Sequence, residues 1–379
     1  MGYRIYICSW LICIGEFGLA IAQSPDSTQK PAPQKAFSLF PIPVVYYTPE
    51  TRFAFGAALS ATFRFRRDHR QVLADTGQTT LTDSDRPRPA NIQFIGAYTQ
   101  NQQILLYTPF QIFYDQNRYY IYGEAGYYRY TYNFYGLGLR ETPAETYGVD
   151  FPRIRLNAFR RVRPNLYAGL RYEYEKYTVT SVEPDGLLAT GTVPGGLGSL
   201  ISGVGLGLLY DTRNTIFYPD RGIFANISYL AHGRAVGSEF SYNRYVADVS
   251  LYYSLTRRAI LAVNSVVSLT GGTAPFNALS LLGSGKRLRG YYEGRFRDEN
   301  MALLQTELRL NVWKRLGAVV FGGVGILGDS NKLLRPGAPK VAAGAGLRGR
   351  INADGLNVRV DYGVGNRSTG LYVTIGEAF

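Results

Sequence analysis

The chain predicts an all-β fold, a transmembrane antiparallel β-barrel of about 16 strands. Three observations carry that prediction. Past residue 36 the sequence is built from segments of about 8–14 residues with period-two alternation, split by Gly, Pro, Asn and Asp turns. Past Ala22 no continuous apolar run approaches the roughly 18–20 residues a spanning helix needs. Tyrosine is abundant, 31 residues beside 20 Phe, and crowds segment ends, as at Tyr46-Tyr47, Tyr119-Tyr120, Tyr127-Tyr128 and Tyr252-Tyr253. Aromatic girdles of that kind mark the two interfaces of a membrane barrel. In lipid only helices and closed barrels satisfy every backbone group, so without long apolar helices the spanning form is a barrel.

Taken in order, residues 1–22 read as a secretory signal peptide. Arg4 supplies the positive start, 5–14 are mostly apolar, and Ala20-Ile21-Ala22 forms a small-x-small cleavage site before Gln23. A membrane anchor would need a longer run, and Gly15, Glu16 and Gly18 interrupt this one. A lipoprotein leader is also disfavoured, because Cys8 and Cys13 follow Ile7 and Ile12 instead of a small residue. Residues 23–38 are rich in Pro, Gln and Ser and predict a short periplasmic tether. The barrel is expected over 39–379.

Alternation assigns the faces of the barrel segments, since successive side chains of a strand point to opposite sides. Over 242–255 one face carries Tyr245, Ala247, Val249, Leu251, Tyr253 and Leu255, and the other Arg244, Asp248, Ser250 and Ser254. Over 303–312 Leu304, Leu308, Leu310 and Val312 oppose Gln305, Glu307, Arg309 and Asn311. Over 356–362 Leu356, Val358, Val360 and Tyr362 oppose Asn357, Arg359 and Asp361. Over 168–174 Leu170, Tyr172 and Tyr174 oppose Arg171 and Glu173. A soluble sandwich would alternate too. Charges recurring in the middle of polar faces, strand after strand, suit a wet lumen instead.

Segments begin near Phe40, Arg52, Ala90, Gln103, Tyr119, Phe151, Leu166, Ser202, Gly222, Tyr242, Ala259, Met301, Gly317, Val341, Gly355 and Gly370. An even number returns the chain to the side it entered. With a periplasmic N-terminus, the long insertions around 132–150, 178–200 and 272–298 all lie outside, and the polar 67–89 stretch is a long connection on the inside.

Composition narrows the chemistry. Both cysteines lie in the leader, so the exported product can form no disulfide, thiolate metal site or Cys nucleophile. His69 and His232 are the two histidines, which argues against a His-based metal site or catalytic base. The net charge of +13 is scattered through strands and loops, and an exported chain has little access to nucleic acid. The charge reads as lumen and loop solvation, with attraction to outer membrane lipid and lipopolysaccharide as an addition.

The most informative segment is 283–297, GSGKRLRGYYEGRFR, a basic glycine-punctuated loop centred on Leu288-Arg289-Gly290-Tyr291. It resembles the sixth extracellular loop of BamA/TamA-type barrels, the bacterial surface antigen family, whose members insert or translocate other proteins at the outer membrane. The likeness extends to Gly203-Val204-Gly205-Leu206-Gly207, to Tyr210-Asp211-Thr212-Arg213 and to Pro219-Asp220-Arg221-Gly222, which resemble the turn after strand eight. Tyr47-Thr48-Pro49-Glu50-Thr51 with Phe55-Gly56 resembles the first hairpin, and Asp361-Tyr362-Gly363 with Ile375-Gly376-Glu377-Ala378-Phe379 the last two strands. The terminal Phe379 resembles the signal that the barrel assembly machinery reads on its substrates.

The resemblance implies that the loop folds inward and that Arg289 pairs with an acid on the barrel wall. A guanidinium fork holds a carboxylate bidentately and keeps its charge, Gly290 permits a tight turn, and Tyr291 packs beside it. Members often carry the acid in a Phe-x-Asp-x-Gly pattern, but here Phe321-Gly322-Gly323-Val324-Gly325 puts Gly323 in its place. Asp361 is then the first substitute and Glu307 the second; the alternative is that Arg289 is one more solvated loop cation. Asp211 and Arg213 are expected to pair with each other or with Arg221 and pin their turn, between Pro219 and Gly222.

Gly344-Ala345-Gly346-Leu347-Arg348-Gly349 formally matches a dinucleotide fingerprint, but a strand pattern and no helix follows it. No nucleophile elbow, zinc motif or P-loop occurs, so no enzyme, cofactor or metal is expected. The stretch between Gln23 and the first strand is too short for POTRA repeats, and no hydrolase domain precedes the barrel. The functional expectation is therefore a barrel assisting protein insertion, translocation or outer membrane biogenesis, with periplasmic or outer membrane protein partners. The alternative is a passive or loop-gated pore, or a surface binding barrel. Pro41, Pro43 and Pro49 deplete the first strand of donors, and Gly363, Gly365, Gly370 and Gly376 soften the last two, so the closing seam should be weak.

Overall fold

The computed structural model describes residues 37–66, 68, 88–138, 142–328, 339–351 and 357–379. The expected signal peptide with Cys8 and Cys13, nearly all of the tether, and most of the 67–89 connection with His69 lie outside the described residues.

Sixteen antiparallel strands close into a barrel, each paired with its neighbours in the chain. They are β1 Phe37–Thr48, β2 Arg52–Phe63, β3 Ala90–Thr99, β4 Ile104–Tyr114, β5 Tyr119–Phe134, β6 Glu145–Arg163, β7 Leu166–Ser181, β8 Gly198–Asp211, β9 Gly222–His232, β10 Tyr242–Ser254 and β11 Ala259–Gly272. A small hairpin, β12 Ser280–Leu282 and β13 Phe296–Asp298, lies within the next loop and forms its own two-stranded sheet. The barrel resumes with β14 Asn300–Trp313, β15 Leu316–Gly328, β16 Lys340–Arg350, β17 Asn357–Gly365 and β18 Ser368–Ile375. Alternation places the starts of β2, β3, β5, β7, β9, β10 and β11 at the residues observed. β6 begins earlier than expected, at Glu145, because its first residues pair with the end of β5 through Phe134↔Glu145 and Asn133↔Thr146. β1 begins at Phe37, inside the stretch read as tether.

The two faces separate by chemistry. Leu170 at 66%, Leu347 at 65% and Leu206 at 60% are among the most exposed large side chains, whereas Glu307, Arg309 and Asp361 are at 0%. That is an inverted globule, with an apolar outside and charges inside, and its solvent is lipid. Among the described residues no helix is long and apolar enough to cross a membrane.

The lumen departs from the wet channel that the charges suggest. Inward charges meet opposite charges: Arg155 Nη1 is 3.3 Å from Glu124 and Arg153 Nε is 2.5 Å from Glu175, while His232 Nε2 is 2.7 Å from Glu173. Toward the loop end the inner wall is aromatic. Tyr128, Tyr130, Tyr132 and Phe134 of β5 line up with Tyr147 and Phe151 of β6 and Tyr177 of β7. Phe276 from the long loop seats edge-on against Phe134, Tyr147 and Tyr177 with centroids 5.6–5.8 Å apart. The aromatic-girdle reading therefore needs correction. Neighbours on a strand face opposite ways, so Tyr127 and Tyr253 are exposed while Tyr128 and Tyr252 turn into the lumen. Beneath the long loop a cavity of about 200 Å³ remains, bounded by Tyr122, Arg171, Asp248, Arg287 and Phe379 among others.

The short turn between β1 and β2 touches the long loop. Glu50 is buried, its Oε1 accepts the Glu293 N–H at 2.6 Å, and its carbonyl accepts from Asn101 and Gln103 at 2.8 and 3.2 Å. Burial first, and the neighbouring Glu293 carboxylate second, push the Glu50 carboxyl from its ordinary 4.5 up to about 7. A raised acid stabilises the closed contact when protonated. That contribution is whole below 4.5 and is lost as pH rises through about 7. The groups facing it are Glu293 and Tyr292 from the loop and Tyr372 from β18. Limited proteolysis of the long loop should accelerate between pH 5 and pH 8 in the wild type, and Glu50→Gln should flatten that rise; a pH-independent wild type would contradict it.

Candidate functional site: the lumenal loop and its anchor

The long loop between β11 and β14 enters the barrel, and Leu288, Arg289, Gly290 and Tyr291 are all buried there. Strand alternation prepares the wall that receives them. Glu307 and Arg309 share the inner face of β14, Arg359 and Asp361 that of β17, and Arg348 that of β16. Arg289 reaches two carboxylates at once: Nη1 donates to Asp361 Oδ2 and Nη2 to Glu307 Oε1. The two acids named as alternative partners thus act together.

The pair belongs to a longer chain of charges. Glu307 Oε2 accepts from Arg309 Nε at 2.8 Å, and Asp361 Oδ1 accepts from Arg348 Nη1 at 2.5 Å. Arg359 Nε stands 3.5 Å from Asp361. Arg348 Nε in turn donates to Glu377 at 2.8 Å, and Asn357 Nδ2 donates to its other oxygen at 2.7 Å. Four buried arginines alternate with three buried carboxylates, so each charge loses water and gains an opposite neighbour. Arg309, Arg348, Arg359 and Glu377 are missing from the sequence reading of the site. Their signal was the i, i+2 pairs Glu307–Arg309 and Arg359–Asp361, which alternation put on one face without saying that the faces converge.

The departure at Gly323 has a steric consequence. A Cβ there would stand 3.0 Å from Gln305 Cβ and 3.3 Å from Leu288 Cδ1, so the missing side chain makes room for Leu288. Phe321, two residues back on the same face, lies under the Arg289 guanidinium at 3.5 Å from ring centroid to carbon. The acids come from β14 and β17 instead of β15.

Backbone clearance sets the rest. Gly290 has φ 121°, a conformation that disfavours other residues, and it runs against β17 where a Cβ on Gly363 would be 2.5 Å from the Arg289 carbonyl. The Tyr372 hydroxyl accepts the Gly290 N–H at 3.2 Å and donates to the Tyr291 carbonyl at 3.1 Å. The Tyr291 hydroxyl donates to the Val341 carbonyl at 3.0 Å and accepts the Asn366 N–H at 2.7 Å. Gly363 and Gly365 of β17 thus clear a path for the loop, a role the reading of them as softeners of the seam did not include.

At the opposite end of the barrel, Asp211 holds Arg213 through two bonds of 2.9 Å from Nε and Nη2. The Arg213 guanidinium lies 4.3 Å from the Phe224 ring centroid. Arg221 is exposed and takes no part in that pair, Pro219 is buried, and Gly222 turns with φ 108°. After β18 the chain turns at Gly376, with φ 85°, and enters the lumen. There Glu377 is buried and the Phe379 carbonyl accepts from Arg309 Nη2 at 2.7 Å.

Removing Arg289 would take one buried donor from Glu307 and one from Asp361, which keep Arg309 and Arg348, and would leave the loop without its anchor. Arg289→Ala should lower stability to denaturant by about 3–5 kcal/mol and release the loop to protease. The triple change Arg289→Met, Glu307→Gln and Asp361→Asn should cost more than Arg289→Ala alone, because Arg309, Arg348 and Arg359 then lose their carboxylates as well; the reverse order of denaturant midpoints would contradict a buried ionic network.

In comparisons of structure the chain resembles BamA from Haemophilus ducreyi lacking POTRA domains 1–3, with a TM-score of 0.61 and 14% identity over 90% of this chain and 70% of that one. It resembles CdiB from Acinetobacter baumannii with a TM-score of 0.57 and 14% identity, over 90% of this chain and 60% of that one. CdiB from Escherichia coli gives 0.57 and 11%, over 91% and 63%. The chain therefore spans less than two thirds of the length of either CdiB chain, and at these identities the likeness is one of fold. A comparison with curated proteins found no match. The Omp85 superfamily domain matches residues 79–379, most of the barrel just described, and the chain belongs to the Omp85 superfamily of outer membrane β-barrels.

Proposed function

We propose that this barrel assists the insertion or translocation of proteins at the outer membrane of a Gram-negative bacterium, by opening between β1 and β18. The observation that carries the reading is the asymmetry of β1. It pairs with β2 at every residue from Phe37↔Phe63 to Thr48↔Arg52, but its register with β18 is the single pair Tyr47↔Val373. β18 ends at Ile375 and the chain then turns inward. From Phe37 to Val45 the edge of β1, which includes Pro41 and Pro43, carries no registered pair with β18. An unpaired edge is a template for an incoming strand, and a seam with few hydrogen bonds opens at the least cost.

Loop and seam are mechanically joined in this reading. Tyr372, on the closing strand, holds Gly290 and Tyr291, while Glu50, on the first turn, holds Glu293. Both edges of the seam are thus tied to one loop, whose anchor is the Arg289 network. Asp211, Arg213, Pro219 and Gly222 act as a structural pin, and Phe379 serves the chain's own delivery to the barrel assembly machinery. Residues 1–22 direct export and 23–38 tether the barrel, whose partners are membrane lipid, lipopolysaccharide and periplasmic or outer membrane proteins. The barrel acts without enzymatic chemistry.

A disulfide between Tyr47→Cys and Val373→Cys tests the seam. The oxidised protein should lose assisted assembly of an outer membrane barrel substrate in proteoliposomes, and reductant should restore it; full activity in the locked form would reject the mechanism. A second reading, a loop-gated pore, is favoured by the loop residues that occupy the lumen. Planar-bilayer recordings separate the two. The wild type should stay nearly silent, whereas spontaneous large openings in the wild type, as a gated pore gives, would favour the second reading; deletion of 283–297 should give openings in either case.

A further inference from the structure

The positive charge is scattered in sequence and gathered in space. Three tight turns at the same end of the barrel join β6 to β7, β10 to β11 and β14 to β15. They present Arg160 with Arg163, Arg257 with Arg258, and Lys314 with Arg315, all six exposed. No acidic residue occurs within 158–170, 253–261 or 311–319. Strands β6 to β15 follow one another around the wall, so these pairs lie along one arc of the rim, with the β8–β9 turn, where Asp220 adjoins the exposed Arg221, between the first and the second.

The arc lies at the edge of the apolar outer face. Val162 at 54%, Leu255 at 56%, Trp313 at 63% and Leu316 at 53% exposure stand beside the basic pairs. Lys314 Nζ lies 5.2 Å from the Trp313 ring centroid. An indole with flanking cations at the end of a hydrocarbon-facing band is the arrangement of an interfacial anchor. The arginine fork suits phosphate oxygens, and clustered cations attract an anionic leaflet. We propose that this rim is a binding surface for anionic phospholipid headgroups, which fix the depth of the barrel at its short-turn end. The feature that favours lipid over an acidic protein is position: the cations sit at the boundary of the lipid-facing band instead of on a surface projecting beyond it.

Trp313 is a built-in probe, since the chain has two tryptophans and Trp10→Phe leaves it alone. The full chain is reconstituted in phosphatidylcholine vesicles containing either brominated phosphatidylcholine or brominated phosphatidylglycerol, and quenching of Trp313 is compared. Brominated phosphatidylglycerol should be preferred about 3-fold or more at low salt, falling toward equality near ~1 M NaCl. The variant Arg257→Gln, Arg258→Gln, Lys314→Gln, Arg315→Gln should lose the preference at low salt. The salt titration needs only the Trp10→Phe protein, so a folding defect of the fourfold variant leaves it readable. Equal quenching by the two lipids at low salt, or a preference that survives both high salt and the substitutions, would overturn the proposal. Equality would leave the rim to an acidic protein partner.

Discussion

A guanidinium held between two buried carboxylates is the constraint on which the rest of this barrel depends. Arg289 cannot shed its charge, so the loop that carries it must reach Glu307 and Asp361 or leave each of those buried acids one donor short. That requirement selects one path for the loop. It also explains why Arg309 and Arg348 flank the acids: each carboxylate has a second oxygen that needs a donor. Such networks contribute less to net stability than to choosing a single arrangement, because the desolvation of each ion offsets much of the attraction. Here the arrangement chosen is a folded-in loop.

Space for that loop comes from absent side chains. Gly323 admits Leu288, and Gly363 and Gly365 admit the backbone of Arg289 and the ring of Tyr291. An Asp at 323, the residue that the resemblance leads one to expect, would compete with Leu288 for volume. In this chain the acids stand on β14 and β17, and β15 supplies the gap. Phe321, two residues before the gap, offers the guanidinium an aromatic face.

The wall is uneven around its circumference. Between β5 and β7 the strands are long, paired along most of their length and filled inside by stacked aromatic rings. Across from them β1 meets β18 at one registered pair, and the chain's last residues leave the sheet for the lumen. Stiffness on one side and a sparse seam on the other single out the β1–β18 seam as the place where the proposed mechanism opens the cylinder. The loop bridges both margins of that seam through Tyr372 and Glu50, so loop position and seam closure are coupled by direct contacts.

Alternation and turn residues by themselves determined the all-β barrel, its sixteen wall strands and which side chains face out, because the two-residue period of a strand is a local property. The resemblance of the loop marked Arg289, Gly290 and Tyr291 and implied an acidic partner, for which alternation offered the inward-facing Asp361 and Glu307. Only the tertiary structure decided that both acids bind the same arginine, that Arg348 and Glu377 extend the network, and that one tyrosine of the 127–128 and 252–253 pairs turns into the lumen. It also decided that three basic turns lie along one arc of the rim. Those contacts join residues up to seventy or more positions apart, and their geometry depends on strand tilt and closure. No local pattern encodes which inward faces meet across a closed cylinder.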